Sequence, residues 1–444
     1  MYDTVAQYGQ VLSNDVDDWH PPVMVRLWQL LHQLGGTTGP MFVVQAGLYT
    51  LGFALVVAVF ARTDRWRAAV SAAVLALSPL LLGWQMVVLK DAQMLGALLA
   101  AFGIVAHYRL VERRVPVLAA VAVTALILYA TLVRANAVFA TVPLAVLLSP
   151  RPKSMPARAL AGLAAIAVVL AVAPVINHRV FDAAPSGVTK TQPLFDLAAI
   201  AVATDDPTPF TPEERTKMVT RHCVKPFFWD PLADPTACGP ITDRVKAQDE
   251  LNLYAELARA AAAHPLAYVE HRLRHWNSTE RWLVRPNLPD AAPPIEAEPN
   301  DLGLGTPSSD VASSWQDAAA IEVSTPLGWP IVWTLIATLL LPCAWRRREE
   351  HAGALALALL ASAVTLEASF LVISIASDLR YHLWSMTASG LGLILLSNNL
   401  RPGRRYLTIG TAMLVLVAAG GIYSRASLPS APDSYQGMVH AASG

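Results

Sequence analysis

Charge is what this chain has least of. Only 15% of its 444 residues are Asp, Glu, Lys or Arg, and the 33 acids cancel the 33 bases. Soluble domains carry roughly a quarter charged residues, so an ordinary soluble enzyme is excluded. A net charge of zero leaves no global field for nucleic acid. Cysteine is scarce as well. Cys223, Cys238 and Cys343 make no CxxC or Cys/His ligand spacing, which excludes a structural zinc site. No Gly-rich phosphate loop, Ser/His/Asp motif, internal repeat or cleavable signal peptide is visible.

What is abundant is apolar sequence, 54% of the chain. It falls in runs near bilayer length, at approximately 41–61, 67–87, 91–109, 116–133, 136–149, 158–177, 326–345, 352–376, 382–399 and 405–424. The fold class read from this is all-α: a polytopic transmembrane bundle of about ten spans with a small extracytoplasmic helical segment. The expected organisation is an outer loop with an interfacial helix (1–40), an N-terminal bundle (41–177), a loop domain (178–325), C-terminal spans (326–424) and a tail (425–444). Pro21 and Pro22 are expected to start the interfacial helix, Val23 to Leu34.

Basic loops set the orientation. Arg62, Arg65 and Arg67; Arg109, Arg113 and Arg114; Arg151, Lys153 and Arg158; Arg346 to Arg348; and Arg401, Arg404 and Arg405 all fall on one side if the ten spans hold. The positive-inside rule makes that side cytoplasmic and places the protein in the plasma membrane with 178–325 outside. Outside, Cys223 and Cys238 can form a disulfide, closing a short loop for about 3 kcal/mol. Within the loop, Thr211-Pro212-Glu213-Glu214 reads as a helix start, 247–263 and 265–276 as helices, and 285–310 as irregular.

Polar residues then collect on the outer side. Asn14-Asp15-Val16-Asp17-Asp18-Trp19-His20-Pro21-Pro22 packs three carboxylates and an imidazole ahead of the first span. Lys90-Asp91 opens the third span, Arg134 and Asn136 sit at an outer turn, Asp196 lies in an apolar stretch outside any span, and Asp378-Leu379-Arg380-Tyr381-His382 opens the ninth. Each has an ordinary structural alternative: a solvated loop, a helix cap, a headgroup-bound arginine, a local ion pair. His264, His271 and His275 have helical spacing for a metal, but nothing else supports one, and they read as surface or packing residues. Retained charges near spans often line a cavity. A lipid-linked phosphate would use this set: tail in an apolar groove, phosphate on Arg and Lys, acceptor activated by a carboxylate.

On these motifs the chain resembles the integral-membrane glycosyltransferases of the GT-C superfamily, in particular bacterial relatives of the dolichyl-phosphate-mannose-protein mannosyltransferases. The matching stretches are Asp15 to Pro22, Lys90-Asp91, Arg134-Ala135-Asn136, Leu194-Phe195-Asp196-Leu197-Ala198 and Asp378-Leu379-Arg380-Tyr381. The resemblance implies inverting transfer of a sugar from a polyprenyl-phosphate donor to a glycan, lipid or protein hydroxyl on the outer face. Asp17 or Asp18 would be the general base, ahead of Asp15, with His20 in the same catalytic loop. Lys90, Arg134 and Arg380 would bind donor phosphate, with Asp91, Asn136 and Asp196 completing the substrate site. Membrane lipids are expected partners and nucleic acid is not; divalent-metal use is left open. The family begins with a span before the first acidic loop, so one is expected upstream of residue 1. A lipid transporter or flippase would bury charges at mid-membrane rather than at span ends; a catalytically inactive scaffold is the remaining alternative.

Overall fold

A computed structural model describes residues 2–150, 154–206, 209–248, 250–305, 309–397, 403–432 and 434–441. Arg151, Lys153 and Arg401 of the basic loops lie outside them. Among the described residues all the regular structure is helical. The helices are α1 Tyr2–Ser13, α2 Pro22–His32, α3 Gly39–Arg62, α4 Trp66–Ala76, α5 Pro79–Gln85, α6 Lys90–Arg109, α7 Val117–Val133, α8 Val138–Leu148, α9 Met155–Val175, α10 Thr191–Ala203, α11 Pro212–Thr220, α12 Asp230–Ala233, α13 Gly239–Lys246, α14 Leu253–Ala263, α15 Pro265–Thr279, α16 Asp310–Ser324, α17 Pro330–Arg346, α18 His351–Ile373, α19 Leu383–Ser397, α20 Arg404–Ser427 and α21 Tyr435–His440.

Four described helices are long and apolar enough to cross a bilayer: α3, Met155–Val180 (α9 with the turn after it), α18 and α20. The expected single span at 67–87 is instead α4 and α5, bent by 56°, and together they qualify as a fifth. The break has a local cause. Pro79 has no N–H to continue the α4 ladder, and Ser78 caps α5 by accepting from the Leu81 N–H. Three shorter apolar helices, Val117–Val133, Ala135–Leu148 and Pro330–Arg346, fall below spanning length.

The chain divides into two compact units. The first holds Met1–Ser186, Ala292–Glu367 and Arg380–Leu416; the second holds Gly187–Ala291, Ala368–Leu379 and Val417–Gly444. In the first, α3 packs along α6 through glycine. A Cβ on Gly52 would lie 2.6 Å from the Leu99 backbone, so only glycine allows that approach. Almost every residue of α6 from Asp91 to Ala106 is buried, which frees it from the need for an apolar stripe. At its far end, Arg109 donates to the Leu148 carbonyl at the end of α8. Arg158 donates to the Val146, Leu147 and Ser149 carbonyls. These cations thus satisfy carbonyls that a helix end leaves bare.

The second unit is built on a core of α10, α13 and α14 that includes Cys223 and Cys238, joined by a disulfide. The expected capping box at Thr211 and Glu214 is formed. The helix expected over 247–263 starts only at Leu253, because the Asn252 side chain accepts from the Ala255 N–H and caps it there. In the first unit α16 follows the irregular stretch at 285–305 and was not expected; Ser309 caps it.

Candidate functional site

The N-terminus of α6 is held in place before any charge is considered. Gln45, fully buried in the apolar run of α3, donates its amide to the Gln85 and Val87 carbonyls, both at 2.8 Å. Its carbonyl oxygen accepts from the Leu89 N–H at 3.3 Å and from the Gln93 amide at 3.2 Å. Tyr129 of α7 donates to Gln93 at 3.2 Å. One glutamine therefore satisfies the backbone between α5 and α6, and fixes where residues 90 and 91 emerge.

Five charged side chains meet there. Lys90 Nζ is 3.3 Å from Asp3 Oδ2, and Arg380 NH1 is 2.9 Å from the same oxygen. Arg134 pairs directly with Asp91, and Arg380 Nε is 3.7 Å from Asp91 Oδ2. Arg134 stands in extended backbone after α7, where its Nε donates to Asn136 Oδ1 at 2.6 Å. Tyr381 tightens the group: the Arg134 guanidinium lies 3.8 Å from its ring centroid and that of Arg380 5.5 Å. Burial alone would raise the Asp3 carboxyl, but Arg380 and Lys90 outweigh it and hold it well below the usual carboxylate range.

Three cations face two carboxylates, all at most partly exposed. Buried charge is costly unless paired, and this cluster draws three cations onto the Asp3 and Asp91 carboxylates. It lies at the N-terminus of a 20-residue helix, where backbone N–H groups and the helix dipole also favour an anion. The arrangement is suited to holding a phosphate-like group.

No protein-family model, curated protein or solved structure matches the chain. The chemistry of the site therefore stands by itself. Of the residues expected from sequence, Lys90, Asp91, Arg134, Asn136 and Arg380 are brought together. The acidic loop is divided. Asp15 is exposed, its backbone N–H donating to Ser13. Asp17 Oδ1 accepts from the Trp19 N–H at 2.9 Å. Asp18 instead faces 178–186: its Oδ1 accepts from the Ser186 N–H at 2.7 Å and hydroxyl at 2.6 Å, and its Oδ2 is 3.4 Å from His178 Nε2. The same segment pairs with the loop backbone, Asp18 N–H to the Ala184 carbonyl and Ala184 N–H to that of Val16. His20 is buried, and burial, with Lys90 beside it, pushes its imidazole down to about 4 against the upward pull of Asp3 and Asp17.

Asp196 makes its contacts inside the second unit. Its Oδ1 is 3.1 Å from both His271 Nε2 and Arg272 NH1, and its Oδ2 accepts from Gln192 at 2.6 Å. His271 and His275 pack against Phe195, and His264 pairs with Asp206. Asp3 is the member of the charged centre that reading the sequence missed; Tyr381 stood in the Asp378–Tyr381 stretch but with no role given to it. Residues 1–20 look like a polar loop, yet Thr4, Gln7, Tyr8 and Val11 repeat at helical spacing and are the buried face of α1. That periodicity was the available signal for Asp3. Asn14, at φ 58°, then ends the helix in the left-handed region that Asn tolerates.

Proposed function

We propose that the chain is an integral-membrane glycosyltransferase of the GT-C kind, transferring a sugar from a polyprenyl-phosphate donor to an acceptor hydroxyl. The observation that carries this reading is the meeting of Lys90, Arg134 and Arg380 with Asp3 and Asp91 at the N-terminus of α6. Adding the bent pair, the three shorter apolar helices and the buried α6 and α19 to the four long spans brings the count to about ten. In favour of an outward-facing site in the plasma membrane is its position along α6. Arg109 and Arg158 lie at the other end of that helix, about 30 Å away at 1.5 Å per residue. On this reading the 178–325 block is extracytoplasmic.

In the reaction, the acceptor oxygen attacks the anomeric carbon from the face opposite the phosphate, and the configuration inverts. The bond from that carbon to the phosphate oxygen breaks, and its electron pair leaves on polyprenyl phosphate. Lys90, Arg134 and Arg380 stabilise the added negative charge. The acceptor proton passes to a carboxylate. Asp17 suits this role better than Asp18, because Asp17 bears on His20, as Lys90 does, whereas Asp18 is engaged with His178 and Ser186. Asp17→Asn should lower sugar transfer by about 10²–10⁴-fold while the protein still folds and binds donor. Asp18→Asn should act mainly on stability. Transfer assays with polyprenyl-phosphate hexose in membrane vesicles decide; an Asp17→Asn enzyme at full rate rejects the base assignment.

A further inference from the structure

Two polar side chains beside the charged centre are buried with polar atoms that find no hydrogen-bond partner among the described residues. Gln7 is fully buried on α1, and neither its amide nitrogen nor its oxygen has a partner. It lies one turn after Asp3, and residues four apart share a helix face. The same helix donates from Thr4 to the Val88 carbonyl at 2.9 Å, two residues before Lys90. With Asp3 on Lys90 and Arg380, this lays the face of α1 against the start of α6. His20 is the second such residue. It is buried, its Nδ1 lacks a partner, and Lys90, Asp3, Asp17 and Arg380 all bear on its ring.

An unpaired buried amide destabilises a fold, and an apolar residue of the same shape would remove that cost. Its retention next to an anion site calls for a ligand with neutral hydrogen-bonding groups. With its imidazole near 4, His20 is uncharged at neutral pH, offering one donor and one acceptor. A primary amide likewise does both. Hydroxyl groups match this pair, since each donates and accepts. We propose that Gln7 and His20 form the sugar subsite of the centre, reading the hydroxyls of an uncharged hexose whose phosphate lies on Lys90, Arg134 and Arg380. This rests on the glycosyltransferase reading above and names the class of sugar it takes.

The test compares two lipids on the full-length protein in nanodiscs: bare polyprenyl phosphate and polyprenyl-phosphate hexose. Wild type should bind the hexose-bearing lipid at least tenfold tighter. Gln7→Met and His20→Met should lose that gain, and Gln7→Met should still bind the bare lipid as wild type does. Its melting temperature should equal or exceed that of wild type, an outcome a merely structural glutamine would not combine with lost sugar binding. Gln7→Asn, which keeps the amide but shortens its reach, should lose about threefold and reports in its place if Gln7→Met misfolds. A Gln7 variant that keeps the full preference for hexose overturns the subsite. Wild type that binds the bare lipid but gains nothing from the hexose overturns it too, and leaves the phosphate site standing. Wild type that binds neither lipid overturns the glycosyltransferase reading itself.

Discussion

Each unit of the molecule buries a cluster of charge, and the two are balanced differently. In the second unit, Asp196 meets Gln192, His271 and Arg272, and Arg272 spends its remaining N–H groups on the Leu371, Val372 and Ser374 carbonyls. There the Asp196 carboxylate and the Arg272 guanidinium match one to one. In the first unit, Lys90, Arg134 and Arg380 crowd around Asp3 and Asp91, and Gln7 and His20 beside them keep polar atoms with no hydrogen-bond partner among the described residues. A saturated cluster serves to join α10, α15 and the 371–374 backbone. One with open hydrogen-bonding capacity beside clustered charge is what a ligand site requires. Burial alone would not have separated them.

The largest effect tests the saturated side. Asp196→Ala would leave the Arg272 guanidinium buried without its carboxylate, at a cost of about 3–5 kcal/mol. The expected outcome is a large fall in thermal stability, read by unfolding in detergent, with unchanged affinity for polyprenyl phosphate in whatever protein stays folded. Kept stability with lost lipid binding would make Asp196 a substrate ligand and erase the contrast between the units.

Acid should strain both units through a buried neutral histidine. Burial and Lys90 depress His20 to about 4; burial and Arg272 depress His275 to about 3. For a depressed group the unfolded chain takes up the proton first, near pH 6.5, while the folded chain resists it. Stability is therefore full above pH 6.5 and is lost as pH falls towards 4, by about 3 kcal/mol for His20 from the size of its shift. Denaturant titrations across that window should show the fall. His20→Met should remove its share of the slope and leave that of His275. An unchanged slope would place the titration elsewhere.

How much of this could be read from the sequence depends on the kind of signal. Charges at the ends of apolar runs are rare, so Lys90, Asp91, Arg134 and Arg380 stood out, and all four meet. Ser78-Pro79 also carried its own break, although 67–87 reads as one run by hydropathy. What stayed hidden were partners far apart in the chain. Asp196 looked isolated because His271 and Arg272 are 75 and 76 residues away. Gln45 was one polar residue in an apolar run, and only the fold shows it satisfying the α5–α6 turn. Asp3 was lost because α1 is polar enough to pass for loop, and its partners lie at residues 90 and 380.

The smallest expected effect is the sharpest test of the clustered charge. Arg380→Gln would remove one of the three cations that meet Asp3 and Asp91. On the proposed function, polyprenyl-phosphate affinity should fall about tenfold, or ~1.4 kcal/mol, and the remaining binding should weaken less with added salt, since one of the charges that salt screens has been removed. Arg380→Lys separates charge from shape. It restores the charge but not the planar fork that reaches Asp3 through NH1 and Asp91 through Nε. If net charge is what draws the anion, the lysine variant regains most of the affinity. If instead the guanidinium's simultaneous hold on both carboxylates sets the geometry of the site, Arg380→Lys binds as weakly as Arg380→Gln. An Arg380→Gln protein with wild-type affinity would show that the first unit's cluster is as saturated as the second's.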